Sequence, residues 1–158
     1  MDFIRQFFSI LSDDLVIIGI SAIPLLELKA AIPLAISLGF DPLSSLILGI
    51  IGGMLPVPLV LVYIKPVIRY LRKTKIFGRP ADWLFNRSMR KSETVKKYSL
   101  IGLFILVALP LPGTGVWTGA TVAAFLGLEF KRAFISILLG NIVAGIIVLF
   151  VSNQIIPN

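Results

Sequence analysis

The chain has 158 residues, of which 57% are hydrophobic and 15% are charged, and its formal net charge is +7. Soluble domains average about 25% charged residues, and a water-soluble protein of this size could not bury so much apolar surface. The chain lacks cysteine and histidine, which excludes disulfides, thiol nucleophiles and thiolate metal sites, and its acidic residues show no ligand spacing. We therefore expect an all-α membrane protein that is not an enzyme and holds neither a metal nor a cofactor.

The first predicted element is a helical hairpin in residues 15–40. Its two apolar arms are each about half a bilayer long when helical, and Pro24, Glu27 and Lys29 interrupt them. Proline removes a backbone donor and disfavours helix before it. We predict a re-entrant hairpin, and the alternative is one kinked helix over residues 15–40 that crosses the bilayer completely.

A transmembrane helix is predicted in residues 43–64, which contain no charged residue. A hydrocarbon core of about 30 Å requires roughly 20 apolar residues in helical conformation. The uncharged residues 133–151 predict a second such helix near the end of the chain. Small residues let neighbouring helices approach closely. We assign this role to five glycines of these helices: Gly49, Gly52, Gly53, Gly140 and Gly145.

Positive charge is concentrated in residues 65–97, the basic linker, which contain eleven basic and two acidic residues. Short segments rich in lysine and arginine stay in the cytoplasm. We expect the basic linker to lie on anionic headgroups at the cytoplasmic face, in preference to binding nucleic acid. Residues 77–82, FGRPAD, predict a turn between two short interfacial helices.

A second hairpin is predicted in residues 98–128, interrupted by PLPGTG at residues 110–115. Glycine permits the left-handed backbone of a tight reversal, and the two prolines break the helix. Irregular backbone at membrane depth persists only where protein or a water-filled cavity satisfies its polar groups. We therefore expect a site at this interruption.

The two halves of the chain resemble one another. AIPL at residues 22–25 corresponds to ALPL at 108–111, and LGFD at 38–41 corresponds to LGLE at 126–129. Each half has a hairpin followed by one crossing helix, which inverts the second copy relative to the first, as in many secondary transporters. We expect a single integral membrane domain over residues 1–158, with repeat 1 at about 13–64 and repeat 2 at about 98–152.

The interruptions of both hairpins supply the candidate substrate-binding residues. Each inner tip begins a half-helix, and a helix N-terminus offers N–H groups and partial positive charge to an anion such as phosphate or carboxylate. Threonine hydroxyls add donors, and glycines allow close approach. The candidates are Glu27, Lys29, Pro33, Pro112, Gly113, Thr114, Gly115, Trp117, Thr118 and Asn141.

Each polar candidate also has a structural interpretation. A charge at the bilayer centre costs about 2.5 to 3.5 kcal/mol, so Glu27 and Lys29 either line a site or form an ion pair that closes the hairpin. In the functional interpretation Lys29 holds an anionic headgroup and Glu27 exchanges a proton. Threonine hydroxyls also serve helix packing, and Trp117 either stacks on a substrate or packs in the core. Asn141 is expected to pair with a hairpin tip.

At residues 27–40, ELKAAIPLAISLGF, and 109–127, LPLPGTGVWTGATVAAFLG, the sequence resembles the small multidrug export protein family of prokaryotes. Lys29 stands where that family usually has arginine, and lysine acts as a point charge in place of a bidentate fork. The resemblance implies a compact relative of the DedA superfamily. Members of that superfamily have paired re-entrant hairpins and are implicated in moving polyprenyl-phosphate lipids with ion coupling.

Together these observations predict a multi-pass transporter of the cytoplasmic membrane. It would move an amphiphilic anion, such as a polyprenyl-phosphate lipid, by alternating access with proton coupling through Glu27. One alternative is a proton-coupled exporter of small organic compounds, and another is a non-transporting scaffold whose basic linker recruits lipid or protein. Because so few helices enclose a path, we expect a homodimer. The other expected partners are the lipid bilayer and the substrate, without nucleic acid.

Overall fold

A computed structural model describes residues 13–155, apart from the side chains of residues 84, 88 and 91–98. This part of the chain is helical and contains no strand, which confirms the all-α prediction for the described residues. The helices are α1 Asp13–Ala22, α2 Glu27–Ser37, α3 Pro42–Met54, α4 Val57–Leu71, α5 Gly78–Ala108, α6 Val116–Phe125 and α7 Phe130–Ile155.

Among the described residues, two helical segments are long and apolar enough to cross a membrane. They are Pro42–Leu71, with 30 residues, and Phe130–Ile155, with 26, and they contain the two predicted transmembrane runs. The first consists of α3 and α4, with an interruption at Leu55 and Pro56 that the prediction lacked. Pro56 and Pro58 have no N–H to donate to the carbonyls four residues earlier, so helical hydrogen bonding is broken here.

The chain divides into two compact units, each with its own internal packing. Among the described residues, one unit contains those up to Leu55 and from Gly145 onward, and the other is Pro56–Ala144.

In the first unit α1 and α2 lie side by side. Ile17 on α1 forms a fully buried cluster with Ala31 and Ala35 on α2. In a continuous helix Ile17 and Ala35 would be about 27 Å apart at 1.5 Å per residue. Residues 15–40 therefore reverse direction between α1 and α2, and one continuous kinked helix does not describe them.

Helix α3 packs closely on both of these helices. The hydroxyl of Ser21, which is fully buried, donates to the carbonyl of Gly49 at 2.6 Å. A β-carbon on Gly52 would overlap the carbonyl oxygen of Ile18. A β-carbon on Gly145, in α7, would lie 2.7 Å from Leu46 Cδ1. Gly49, Gly52 and Gly145 thus serve close packing, as predicted.

The second unit contains a similar arrangement of short apolar helices. Ser99 has φ 51° and ψ −124°, which separates the apolar helix Ser99–Ala108 from the earlier part of α5. Val107 packs against Gly119 of α6 and against Gly140 of α7, where a β-carbon would lie 2.5 Å and 2.8 Å from its side chain. Helix α6 therefore folds back along the end of α5, and α7 covers the same face.

The turn predicted at residues 77–82 lies earlier in the chain. The turn occupies residues 72–77, and α5 begins at Gly78. Pro80 falls in the first turn of α5, where a missing N–H costs no intrahelical hydrogen bond. Pro80 therefore marks the start of α5, whereas the prediction assigned it to the turn.

Asp41 caps the N-terminus of α3. Its carboxylate accepts hydrogen bonds from the amides of Leu43 at 3.3 Å and Ser44 at 2.9 Å, and from the Ser44 hydroxyl at 2.7 Å. Hydrogen bonds from Ser44 hold the pKa of Asp41 below its ordinary value. The bond from the Ser44 hydroxyl lowers the pKa most, and the bond from the Ser44 amide lowers it further. These donors satisfy amides that an uncapped helix would leave without an acceptor.

Gly52→Ala should destabilise the protein by at least about 2 kcal/mol, because the new methyl group meets the backbone of α1, which cannot move aside as a flexible side chain can. Gly19→Ala is the matched control, since no atom lies within 4 Å of a β-carbon there, and it should be neutral or slightly stabilising. Thermal unfolding in detergent measures both. Equal melting temperatures for the two variants would contradict the packing described here.

Asp41→Ala should lower the melting temperature most at neutral pH. Because the pKa of Asp41 is lowered by folding, the cap contributes stability above the ordinary aspartate pKa and loses it as pH falls through the lowered value. The difference between wild type and Asp41→Ala should therefore narrow as the pH falls below the ordinary aspartate pKa of about 4. A difference that stays constant over this range would show that the carboxylate charge has no part in the cap.

Candidate functional site

The first break, residues 23–26, places Glu27 at the start of α2. Leu25 and Glu27 have φ values of 79° and 49°, a left-handed conformation that costs non-glycine residues roughly 1 to 2 kcal/mol each. The amide of Glu27 donates to the carbonyl of Ile23 at 3.1 Å, and that of Ala30 donates to Leu26 at 3.2 Å. The reversal is thus closed by main-chain hydrogen bonds, and the local strain is concentrated beside the acidic residue.

Glu27 and Lys29 form an ion pair, which we call the charged pair. Lys29 Nζ lies 3.3 Å from Glu27 Oε2, and their side chains are 21% and 6% exposed respectively. The lysine is therefore partly accessible while the carboxylate is enclosed. The ion pair of the structural interpretation is present.

Pro33 lies inside α2, half-buried, one turn after Lys29. It has no N–H to donate to the carbonyl of Lys29, which the i to i−4 pattern would otherwise provide. Helix α2 therefore lacks one main-chain hydrogen bond next to the charged pair. This groups three of the predicted site residues, Glu27, Lys29 and Pro33, on one short helix.

The second break, residues 109–115, is held together by Thr114. The amide of Leu111 donates to Thr114 Oγ1 at 3.1 Å. The Thr114 hydroxyl in turn reaches the carbonyls of Leu109 at 2.5 Å and Leu111 at 2.8 Å, and can donate to one of them at a time. One buried hydroxyl thus replaces hydrogen bonds that Pro110 and Pro112 remove from the helix.

Positive φ values at two glycines allow this break to form. Gly113 has φ 82° and Gly115 has φ 131° with ψ −166°, a combination that is accessible essentially to glycine alone. The Thr118 hydroxyl donates to the carbonyl of Gly113 at 3.2 Å. The glycine requirement at the predicted interruption is confirmed. The hydroxyls of Thr114 and Thr118 bind main-chain carbonyls, whereas the sequence suggested donors for a substrate.

Arg87 of the basic linker contacts the second break, which the sequence did not predict. Its guanidinium carbon lies 4.8 Å from the centre of the Trp83 ring. A β-carbon on Gly113 would overlap its terminal nitrogen, so the guanidinium rests on the glycine backbone. No local pattern distinguishes Arg87 from the other cations of the linker, and the contact arises only when α5 folds against α6.

The remaining candidates are Pro112, Trp117 and Asn141. Pro112 is exposed, and Trp117 is half-buried on α6, where its carbonyl accepts from the Thr121 hydroxyl at 2.7 Å. Asn141 is 3% exposed on α7. The pairing of Asn141 with a hairpin tip stays a prediction, as does substrate binding by all of these residues. Among the described residues no group of three acidic side chains could hold a metal ion.

These features define a small all-helical chain with membrane-length apolar helices and two broken helix pairs, an architecture typical of integral membrane proteins. A family model described as "Putative small multi-drug export protein" matches residues 27–147, and the chain belongs to this family. The match begins at Glu27 and includes every predicted site residue. No curated protein and no solved structure matches the chain significantly. The family resemblance is confirmed, and the relationship to the DedA superfamily stays a prediction.

Thr114→Val should destabilise the second break by about 1 to 2 kcal/mol, because the amide of Leu111 loses its hydroxyl acceptor and one of the two carbonyls loses the hydroxyl donor. Thr121→Val is the matched control: its hydroxyl donates within a regular helix, where the carbonyl of Trp117 also has a helical amide partner. Thermal unfolding and hydrogen exchange of α6 measure the difference. A larger loss for Thr121→Val than for Thr114→Val would contradict this role of Thr114.

Proposed function

We propose that the protein is a transporter of the cytoplasmic membrane that exports small amphiphilic organic compounds in exchange for protons. The charged pair is the observation that carries this proposal. The Glu27 side chain, only 6% exposed, lies beside the partly accessible Lys29 at the start of a short apolar helix. Ionisable residues within apolar membrane segments are costly and usually mark a transport pathway. The family to which the chain belongs adds support, since its description names drug export.

The charged pair suggests how exchange could operate. A proton on Glu27 removes the negative charge, whereas an organic cation can take the place of Lys29 beside the deprotonated carboxylate. Proton and cation then compete for the same carboxylate oxygens, which couples the binding of one to the release of the other. In this scheme Lys29 neutralises Glu27 when neither ligand is bound and limits the cost of a buried charge.

We infer a membrane arrangement that places this pair at depth. Helices α1, α2 and α6 have 10, 11 and 10 residues, or about 15 Å each, half of a hydrocarbon core of about 30 Å. Both broken pairs would then be re-entrant hairpins, each followed by one membrane-length helix. The recurrence of this order supports an inverted repeat, with a multi-pass topology and a cytoplasmic basic linker. A homodimer would supply further walls to the pathway.

The narrower expectation of a polyprenyl-phosphate substrate has less support. Lys29 already faces a carboxylate at 3.3 Å, and the hydroxyls of Thr114 and Thr118 donate to main-chain carbonyls. Fewer hydrogen-bond donors are therefore directed towards an anionic substrate than the sequence suggested. One observation favours an anionic substrate, because the guanidinium of Arg87 lies against Gly113 at the second break.

Glu27→Gln should reduce proton-driven transport of a fluorescent organic cation to the background rate, because an amide cannot exchange a proton. Transport is measured in proteoliposomes with an imposed pH gradient. Glu129→Gln is the matched control, since Glu129 is 62% exposed and pairs with Arg132 on the surface. It should transport at the wild-type rate.

Removing the charge of Lys29 distinguishes a cationic from an anionic substrate. For a cationic substrate Lys29→Gln should retain most of the transport, whereas an anionic amphiphile would require the lysine. Wild-type rates for Glu27→Gln would overturn the exchange proposal. Transport of an anionic amphiphile that is lost in Lys29→Gln and retained in Glu27→Gln would favour an anionic substrate.

A further inference from the structure

A cavity of about 520 Å³ lies among α4, the beginning of α5 and the end of α6, within the unit Pro56–Ala144. Most of the residues that line it belong to the basic linker, and they are far in sequence from the charged pair. Four cations line it, namely Lys65, Arg69, Arg72 and Lys73, and Asp82 is the one carboxylate among its described lining residues. We call it the basic cavity.

The cations of the basic cavity share one face of α4 and its C-terminal extension. Lys65, Arg69 and Arg72 follow at intervals of four and three residues, and residues so spaced are neighbours on a helix surface. Like charges at this spacing repel one another. The lining carries a formal charge of +3 at neutral pH, from four cations and one carboxylate. An anionic ligand would relieve this repulsion.

Two contacts hold Arg72 in position in the lining. Its Nε donates to Asp82 Oδ1 at 2.5 Å, and its guanidinium carbon lies 4.6 Å from the centre of the Phe85 ring. The bond to Asp82 uses only Nε, so the donors on the two terminal nitrogens are directed elsewhere. A planar guanidinium oriented in this way suits the oxygen pairs of a phosphate group.

One wall of the basic cavity is aromatic. The rings of Phe85 and Phe125 meet edge to face with centres 5.0 Å apart, and the buried Ile68 adds an aliphatic surface. The cavity therefore combines a cationic side with an apolar side. That combination matches a ligand with an anionic group joined to an apolar portion.

We propose that the basic cavity binds the phosphate group of an amphiphilic ligand. The phosphate contacts Arg69, Arg72 and Lys73, and the apolar portion lies against Phe85 and Phe125. The phosphate comes either from an anionic phospholipid headgroup or from a soluble phosphate compound. This site goes beyond the proposed export function and does not depend on Glu27.

Dioctanoyl phosphatidic acid, added to detergent-solubilised protein, tests the proposal by native mass spectrometry or thermophoresis. The double variant Arg69→Gln with Lys73→Gln should bind it about tenfold more weakly, because two charge-assisted contacts are lost. The matched control, Lys75→Gln with Arg79→Gln, removes the same charge from exposed positions outside the cavity. It should change the affinity by less than about twofold, since solvent screens distant charges.

Equal losses in the two double variants would overturn the proposal and indicate diffuse attraction to the basic linker. No binding by the wild type would overturn it as well. Equal wild-type affinity for dioctanoyl phosphatidylcholine would also overturn it. If the first double variant does not fold, Lys73→Gln alone is compared with Lys75→Gln.

Inorganic phosphate and Phe125→Ala distinguish the two sources of the phosphate. If the ligand is a lipid, Phe125→Ala weakens binding of dioctanoyl phosphatidic acid, and millimolar phosphate does not displace it. If the ligand is a soluble phosphate compound, inorganic phosphate competes effectively. Little effect of Phe125→Ala would then overturn the aromatic contact and leave the phosphate contacts as the site. Either result supports the site, provided that the Arg69 and Lys73 substitutions weaken the binding concerned.

Discussion

Lipid offers no hydrogen-bond partner to a main chain that leaves the helical conformation, so every break in an apolar chain must be satisfied by the protein itself. This constraint governs both interruptions of the chain. At the first break, main-chain amides of Glu27 and Ala30 bond back to residues four positions earlier. At the second, prolines prevent this solution, and the buried hydroxyl of Thr114 serves amide and carbonyl groups together. Each break is therefore a closed local structure.

Closing the breaks leaves short helices that must pack against neighbours to persist. In lipid there is little hydrophobic drive between helices, so close contact of small residues has to hold them. Gly52 allows α3 to approach the backbone of α1, and Gly119 and Gly140 allow α6 and α7 to approach Val107. The buried hydrogen bond from Ser21 to Gly49 adds a directional contact to the first of these surfaces. Short helices and close packing are thus two consequences of the same constraint.

Two arginines of the basic linker, Arg72 and Arg87, have more specific positions than a solvated segment would give them. Arg72 lies over Phe85 and Arg87 over Trp83, at 4.6 Å and 4.8 Å from the ring centres. An aromatic face attracts a guanidinium and limits the directions in which its donors point. One of these arginines faces the basic cavity, and the other rests on Gly113 of the second break. The linker thus brings ordered positive charge to the apolar helices of its own unit.

Local chemistry was enough to predict much of this protein. Apolar run length identified the two membrane-length helices. Pro24 and the charged residues Glu27 and Lys29 identified the first break, and the prolines and glycines of residues 110–115 identified the second, because these effects act within a few residues. The motifs at residues 27–40 and 109–127 also identified the family. The helix interruption at Pro56 and Pro58 had an equally local signal. This interruption was missed because the uncharged run was interpreted only by its length. The turn near Pro80 was misplaced because proline marks the start of a helix as well as a turn.

The tertiary structure alone decided which distant groups meet. The Ser21 hydroxyl reaches Gly49, Arg87 rests on Gly113, and Phe85 meets Phe125 only after separate helices have packed. The hydroxyls of Thr114 and Thr118, which composition suggested as donors to a ligand, are directed to carbonyls by the folded backbone. Sequence determines which residues can break, cap or fill a helix, because those preferences are local. The direction of a donor depends on how helices pack, which is a property of the whole chain.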